Sequence, residues 1–280
     1  MLSLIYFELF KTFSKWRTYI GFITVGIIIP LILYVVHLSG SNFADEGPIR
    51  SMKKEFFIVG NLANGWFFAQ LIMLSLWVHI PFLITLVAGD QLAGEATSGT
   101  FRFSLIRPIS RSKFLFSKYI TTLIYTALLV FAIALLSLGL GLYILGSGDL
   151  IAFDEGSITI LSEELLFNRF ILAYLLATIS MSVVATLAFL FSSFVENAIG
   201  PIIATMAILV CLLVISNLPV EYFNNYKPYL FTTYQNAWSF AFNDVLDWDK
   251  ITKAISVQVS TIILFYILSL TIFLKKDILS

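Results

Sequence analysis

The sequence predicts an all-α polytopic membrane protein with six transmembrane helices, both termini cytoplasmic and an N-terminal amphipathic helix on the membrane surface. Three observations carry this. Of 280 residues, 59% are hydrophobic and only 12% charged, about half the ~25% charged of an average soluble domain, and the mean hydropathy is +0.93. Six apolar runs approach the roughly 20 residues that a helix needs to cross the hydrocarbon core. The Lys and Arg residues gather on one side of those runs.

The runs lie near 19–38, 66–88, 119–145, 170–194, 201–217 and 254–274, within a single transmembrane domain covering 1–280. Each is continuously apolar rather than alternating, which is the pattern of helices and not of barrel strands. The N-terminus reads as leading into a permanent span rather than as a cleaved signal. Residues 1–10 carry no basic side chain, and the first run is longer than a signal core.

Orientation follows from the basic residues. One side holds the N-terminus, 89–118, 195–200 and the C-terminus, with ten basic and five acidic residues, a net of about +5. The other side holds seven basic and twelve acidic residues and nets about −5. The positive-inside rule makes the basic side cytoplasmic. A formal net charge of +0 conceals this asymmetry, and no nucleic-acid partner is expected from it. Cys211, the only cysteine, lies in an apolar run, so it reads as a small buried hydrophobe and excludes an intrachain disulfide.

Residues 1–18 place Leu2, Ile5, Tyr6, Leu9, Phe10, Phe13 and Trp16 at spacings of three and four, with Glu8, Lys11 and Lys15 between them. This is an amphipathic surface helix or an extension of the first span. The outer loop 218–253 is crowded with aromatics from Tyr222 to Trp248. It reads as short interfacial or re-entrant helices, or as an ordinary aromatic belt. In the fourth span Ala173 and Ala177, and then Thr178, Ser182 and Thr186, repeat every four positions, a pattern that lets helices approach closely in lipid. Ordinary packing within the chain, a dimer face or a polar pathway would each use it.

The spans contain no Asp, Glu, Lys or Arg; their histidines are His79, beside Pro81, and His37 at a span end. Proton- and ion-coupled carriers usually bury such charges, although broken helices can hold sodium through backbone carbonyls. His79 reads as a packing residue. No HExxH, paired aspartate or nucleophile motif is present. Gly94 and Gly99 have the spacing of a phosphate loop, but Thr100 stands where lysine is required. No catalytic residue, metal-ligand set or bound cofactor is expected on this chain.

The polar segment of greatest interest is 89–118, GDQLAGEATSGTFRFSLIRPISRSKFLFSK. Thr97, Ser98 and Thr100 can cap a short helix, and Phe101, Leu105 and Ile106 give it an apolar side. Pro108 disfavours helical geometry at Arg107 and ends it. Ser110 can cap the next helix, which runs through Arg111, Lys113 and Lys118 into the third span. The result is a helix–break–helix elbow, its first helix over 97–107; a solvated positive-inside loop is the alternative.

This stretch resembles the signature loop of ABC-2 type permeases, the membrane subunits of one class of ATP-driven exporters. Glu95, Gly99, Thr100, Pro108, Ser110, Arg111 and Lys118 fall in the order of that pattern. It runs from an acid through Gly-Thr and an apolar stretch before Pro to Ser-Arg and a Lys entering the next span. Phe273, Lys275, Lys276 and Asp277 resemble the family's C-terminal ending. With the six-span layout, the resemblance covers the whole chain.

The resemblance implies a transport subunit rather than an enzyme, in the cytoplasmic (inner) cell membrane. Its partners would be membrane lipid, a second copy or a related permease, and two ABC ATPase subunits acting in trans, with ATP and Mg bound by those ATPases. The 97–107 helix would be a coupling helix seated on the ATPase, with coupling residues Glu95, Gly99, Thr100, Phe101, Arg102, Arg107, Pro108 and Arg111. Substrate would be exported between two permeases, with the aromatic outer loop helping to close the exit. An ion-coupled secondary carrier and a non-transporting membrane anchor or scaffold stay open, as does an ABC complex that transmits force or alters lipids. The uncharged spans argue against a strongly anionic polymer as substrate.

Overall fold

The computed structural model describes residues 1–39, 64–99, 109–154, 157–195 and 197–276. It is mostly helical. Helix α1 (Leu2–Phe13) stops at Ser14, and α2 (Trp16–Ser39) follows. Next come α3 (Gly65–Leu76), α4 (Ile80–Ala88) and the short α5 (Asp90–Thr97). Helix α6 (Arg111–Ala134) runs through a π-helical stretch, Leu135–Leu140, into α7 (Gly141–Leu145). Helix α8 (Glu163–Phe194), α9 (Ile199–Asn217), the single turn α10 (Glu221–Asn224), three 3-10 segments and α11 (Trp248–Lys275) complete the described residues.

Five of these helices are long and apolar enough to cross a membrane: α2, the continuous Arg111–Leu145, α8, α9 and α11. The expected second span is a bent pair, α3 and α4, meeting at 57°. The break falls at residues 77–79. Pro81 occupies the first turn of α4, where its missing N–H costs nothing. The His79 ring nitrogen Nδ1 lies 3.1 Å from the Ser75 carbonyl, a local packing bond.

One element departs from the all-α expectation. Strands β1 (Leu150–Asp154) and β2 (Ser157–Leu161) form an antiparallel hairpin, Leu150 opposite Leu161. An isolated two-stranded ribbon is marginal by itself, and this one is held by the bundle: Leu150, Ile151, Ala152 and Leu161 are buried. Asp149 continues into the helix above by accepting the Glu163 N–H at 3.1 Å.

Helix α8 is the hub, packing against α4, α5, α6, α9, α11 and the 3-10 segment Ala237–Phe242. Lipid tails are as apolar as leucine, so helices associate in a membrane through close packing and hydrogen bonds rather than hydrophobic exclusion. The small residues of α8 serve that purpose within the chain. Ala173 and Ala177 are buried, and Thr178, Ser182 and Thr186 each donate to the carbonyl four residues back. A second close approach joins α3 to α7: a Cβ on Gly65 would stand 2.5 Å from the Gly141 carbonyl carbon. The Gly65 N–H also donates to the Gly146 carbonyl at 2.8 Å.

The 218–253 loop is built largely of short turns packed inward. Trp238 is fully buried against Trp77, with ring centroids 5.7 Å apart, and Phe242 packs on Phe170 at 4.8 Å. Arg169 fastens the turns by donating to the Ala241 and Asp244 carbonyls at 3.2 and 2.9 Å. Tyr222, Tyr226 and Tyr229 face outward.

Cys211 corrects the expectation of a buried thiol, since it is exposed. Its helix, α9, is peripheral, with only Pro201, Thr205 and Leu209 buried. An apolar residue on such a helix needs no protein cover where the solvent is lipid.

Candidate functional site

The segments grouped on the basic side by sequence meet at one end of the bundle. Arg111 Nη1 donates to the Leu274 and Lys276 carbonyls at 3.4 and 3.2 Å, and Lys276 Nζ reaches the Phe194 carbonyl at 3.5 Å. Between them lies a cluster of charged side chains at the root of the polar loop.

Helix α1 presents its polar stripe to this cluster. Glu8 and Thr12 are buried, whereas Leu2, Tyr6 and Phe10 are exposed. That polarity is inverted relative to a helix on a soluble protein, and it is the arrangement expected where the outer surround is apolar. Lys118, on the first turns of α6, is 1% exposed. Its ammonium donates to Glu8 Oε2 at 2.7 Å and to Glu95 Oε1 at 2.5 Å. Lys11 donates to the same Glu95 oxygen. Lys118 also lies 5.0 Å from the centre of the Phe114 ring. Beside this group, Asp90 accepts from Lys15 at 2.7 Å and from Arg17 at 3.0 Å, tying α5 to the junction of α1 and α2.

The electrostatics are nearly closed. Two ammonium groups face two carboxylates around Lys118. Burial works to raise the Glu95 carboxyl, but Lys118 and Lys11 outweigh it and hold Glu95 below the ordinary 4.5. Such an array ties α1, α5 and α6 together. Among the described residues, no group of three His, Cys, Asp or Glu side chains is placed to hold a metal.

Helix α5 is fixed from its start by a residue on another helix. Ser192 Oγ accepts the Leu92 and Ala93 N–H groups at 3.1 and 2.9 Å and donates to the Gly89 carbonyl at 2.6 Å. It does the work of an N-cap from outside the segment. At the other end Gly99, with φ +67, takes the left-handed conformation that closes many helices. Thr97 and Ser98 donate back to the Ala93 and Glu95 carbonyls. Their hydroxyls thus bond into the helix before the loop rather than heading the one expected after it. Gly94, half of the apparent phosphate-loop spacing, lies inside α5, where a Cβ would meet the Asp90 carboxylate.

Of the expected coupling residues, Glu95, Gly99 and Arg111 fall in the described part of the chain. Glu95 faces inward at 2% exposure, so in this arrangement it supports the loop instead of offering a contact surface. Arg111 is exposed and fastens the C-terminal end of α11. Ser110 stands at the N-cap position of α6 without a side-chain capping bond. Thr100, Phe101, Arg102, Arg107 and Pro108, and with them the expected helix through 107, lie outside the described residues, as does Asp277. Sequence reasoning missed Glu8, Asp90 and Ser192 as site residues. Glu8 had a signal, an acid on the polar stripe of an otherwise apolar helix. Ser192 had none, because its partners are about a hundred residues away.

Residues 19–279 match the family described as "Protein of unknown function (DUF2705)". The chain belongs to that family. This DUF2705 chain is also 25% identical, over an alignment of 323 residues covering 99% of both proteins, to the uncharacterized protein YhcI of Bacillus subtilis (strain 168). The match extends through the charged cluster from Lys118 to Glu95, while Glu8 and Lys11 precede the family's matched range.

Proposed function

We propose that this chain is the permease subunit of an ATP-driven ABC exporter, in which two permeases are driven by two separate ATPase subunits. The face carrying α1, α5 and the termini is cytoplasmic by its excess of basic residues, and the membrane is the cytoplasmic one. The observation that carries the reading is the buried cluster joining Glu8, Glu95 and Lys118 at the root of the polar loop. It supports a mechanical junction: a push on the 97–107 segment moves α5, and through the ion pairs α1 and α6, as one stiff unit. Two-state transporters need such a lever between a soluble engine and the spans.

Phe101, Arg102 and Arg107 are the proposed ATPase contacts, and Glu95 acts behind them as a positioning residue. The test is co-purification of the chain with an ABC ATPase encoded beside it, followed by ATPase measurements in lipid nanodiscs. The expected result is a stable complex whose activity responds to the permease and loses that response in Phe101→Ala. If no ATPase is retained, or if the complex is indifferent to Phe101→Ala, the reading fails and a carrier or scaffold takes its place.

A further inference from the structure

A cavity of about 450 Å³ lies at the end of the bundle away from the charged cluster, between the α3–α4 break, the last turns of α9 and the turns that follow it. Its size falls within the roughly 300–1,000 Å³ of small-molecule sites. The break makes the room, because the backbone swings away by 57° there. One wall is apolar, formed by Trp77, Pro81, Met206, Leu209 and Leu213.

The opposite end is polar, and most of its groups are already bonded within the chain. The Ser216 and Thr232 hydroxyls pair at 2.7 Å, Thr233 Oγ1 donates to the Lys227 carbonyl at 2.7 Å, and Asn217 Nδ2 donates to the Leu213 carbonyl at 2.8 Å. Gln235 is different. It lines the cavity, is 2% exposed, and among the described residues neither Nε2 nor Oε1 has a hydrogen-bond partner. Buried amides are nearly always bonded, and an unmet one calls for an explanation.

We infer that this cavity binds an uncharged amphipathic molecule, with its apolar part along Leu209 and Leu213 and an amide or hydroxyl head on the Gln235 side chain. The chemistry is dictated by what is left over. The Gln235 amide offers both a donor and an acceptor, which a hydroxyl or a second amide can answer at once. None of the described lining residues is ionisable, so a charged head would lose its hydration with no counter-ion to replace it. As a substrate class the inference rests on the permease reading; as a binding site it does not.

The experiment uses the full chain alone in phosphatidylcholine nanodiscs, with ω-bromoundecanamide as the probe and Trp77 as the reporter, since bromine quenches a nearby indole. The expected result is saturable quenching that falls in Trp77→Phe to what the neighbouring Trp238, 5.7 Å away, still reports, and that weakens about tenfold in Gln235→Leu, which keeps the volume and removes the hydrogen bonds. Bromoundecanoate, ionised at mildly alkaline pH, neither quenches saturably nor competes. Quenching that only tracks the probe-to-lipid ratio, unchanged affinity in Gln235→Leu, or equal binding of the carboxylate would each overturn the inference. If Gln235→Leu does not fold by size exclusion, Leu209→Phe, which fills the apolar wall, replaces it, and unchanged binding there overturns the inference equally.

Organic extraction and mass spectrometry of the purified protein distinguish the sources of the same chemistry. A neutral lipid retained at one per chain marks a resident lipid, and an empty site that fills on mixing with probe marks an exchangeable small molecule. Either supports the class, whereas a retained anionic molecule lost in Gln235→Leu contradicts it. No ATPase is present in these assays, so their failure leaves the coupling proposal standing, and failure of the pull-down leaves this site standing.

Discussion

Lys118 Nζ stands 2.5 Å from Glu95 Oε1, both residues at most 2% exposed and on different helices. Neither charge has water to turn to. The pair is satisfied because Glu8 and Lys11 complete it, and each member therefore depends on the others.

Removing one member should be costly. Breaking a buried ion pair from one side costs about 3–5 kcal/mol, since it strands the other charge. Lys118→Met, which leaves Glu8 and Glu95 facing each other, is expected to lose that amount in thermal unfolding of the nanodisc-embedded chain. Glu95→Gln should lose less, because Lys118 keeps Glu8. A Lys118→Met protein as stable as wild type would show that the cluster is not formed.

The pH dependence has a definite sign. The Glu95 carboxyl is depressed in the folded chain below its ordinary 4.5, so its contribution is fully present above that value and is lost as pH falls through the folded value. The stability gap between wild type and Glu95→Gln should hold from neutral pH down to about 4.5 and narrow below it. A gap that narrows with rising pH would reverse the assignment.

Ser192→Ala removes the acceptor for two α5 N–H groups and the donor to Gly89. The expected loss is about 1–2 kcal/mol, the upper part of the range for a lost cap. Because the loss is local, limited proteolysis after Arg102 should accelerate more than global unfolding does. Equal acceleration of both would mean that Ser192 supports α8 alone.

The contact of Gly65 with Gly141 gives an asymmetric prediction. A Cβ on Gly65 would stand 2.5 Å from the Gly141 carbonyl carbon, while one on Gly141 would stand 3.2 Å from the Gly65 carbonyl oxygen. Backbone cannot move aside as a flexible side chain can, so Gly65→Ala is expected to cost about 3 kcal/mol, the top of the overpacking range, and Gly141→Ala distinctly less. Equal effects in a detergent melting series would place the helices farther apart.

Sequence alone was enough for the hydrophobic architecture. Five of the six long runs became single membrane-length helices, and the second a bent pair, because backbone groups in lipid must be satisfied within their own segment. The grouping of the N-terminus, the polar loop and the C-terminus was legible for a related reason, since span number dictates which segments share an end. The 57° break at residues 77–79 was half legible: Pro81 marked it, but hydropathy reads straight through it.

Tertiary structure decided what long-range partners decide. Glu95 read as a loop residue until Lys118 and Glu8 enclosed it, and Ser192 carried no signal until it capped a helix about a hundred positions earlier. The hairpin Leu150–Leu161 exists because the bundle covers it. Cys211 faces outward because its helix lies at the periphery. Hydropathy is a local sum and so places spans; burial of a charge, a cap donated from another helix and a cavity lined by Gln235 depend on which segments meet, and only the packed chain specifies that.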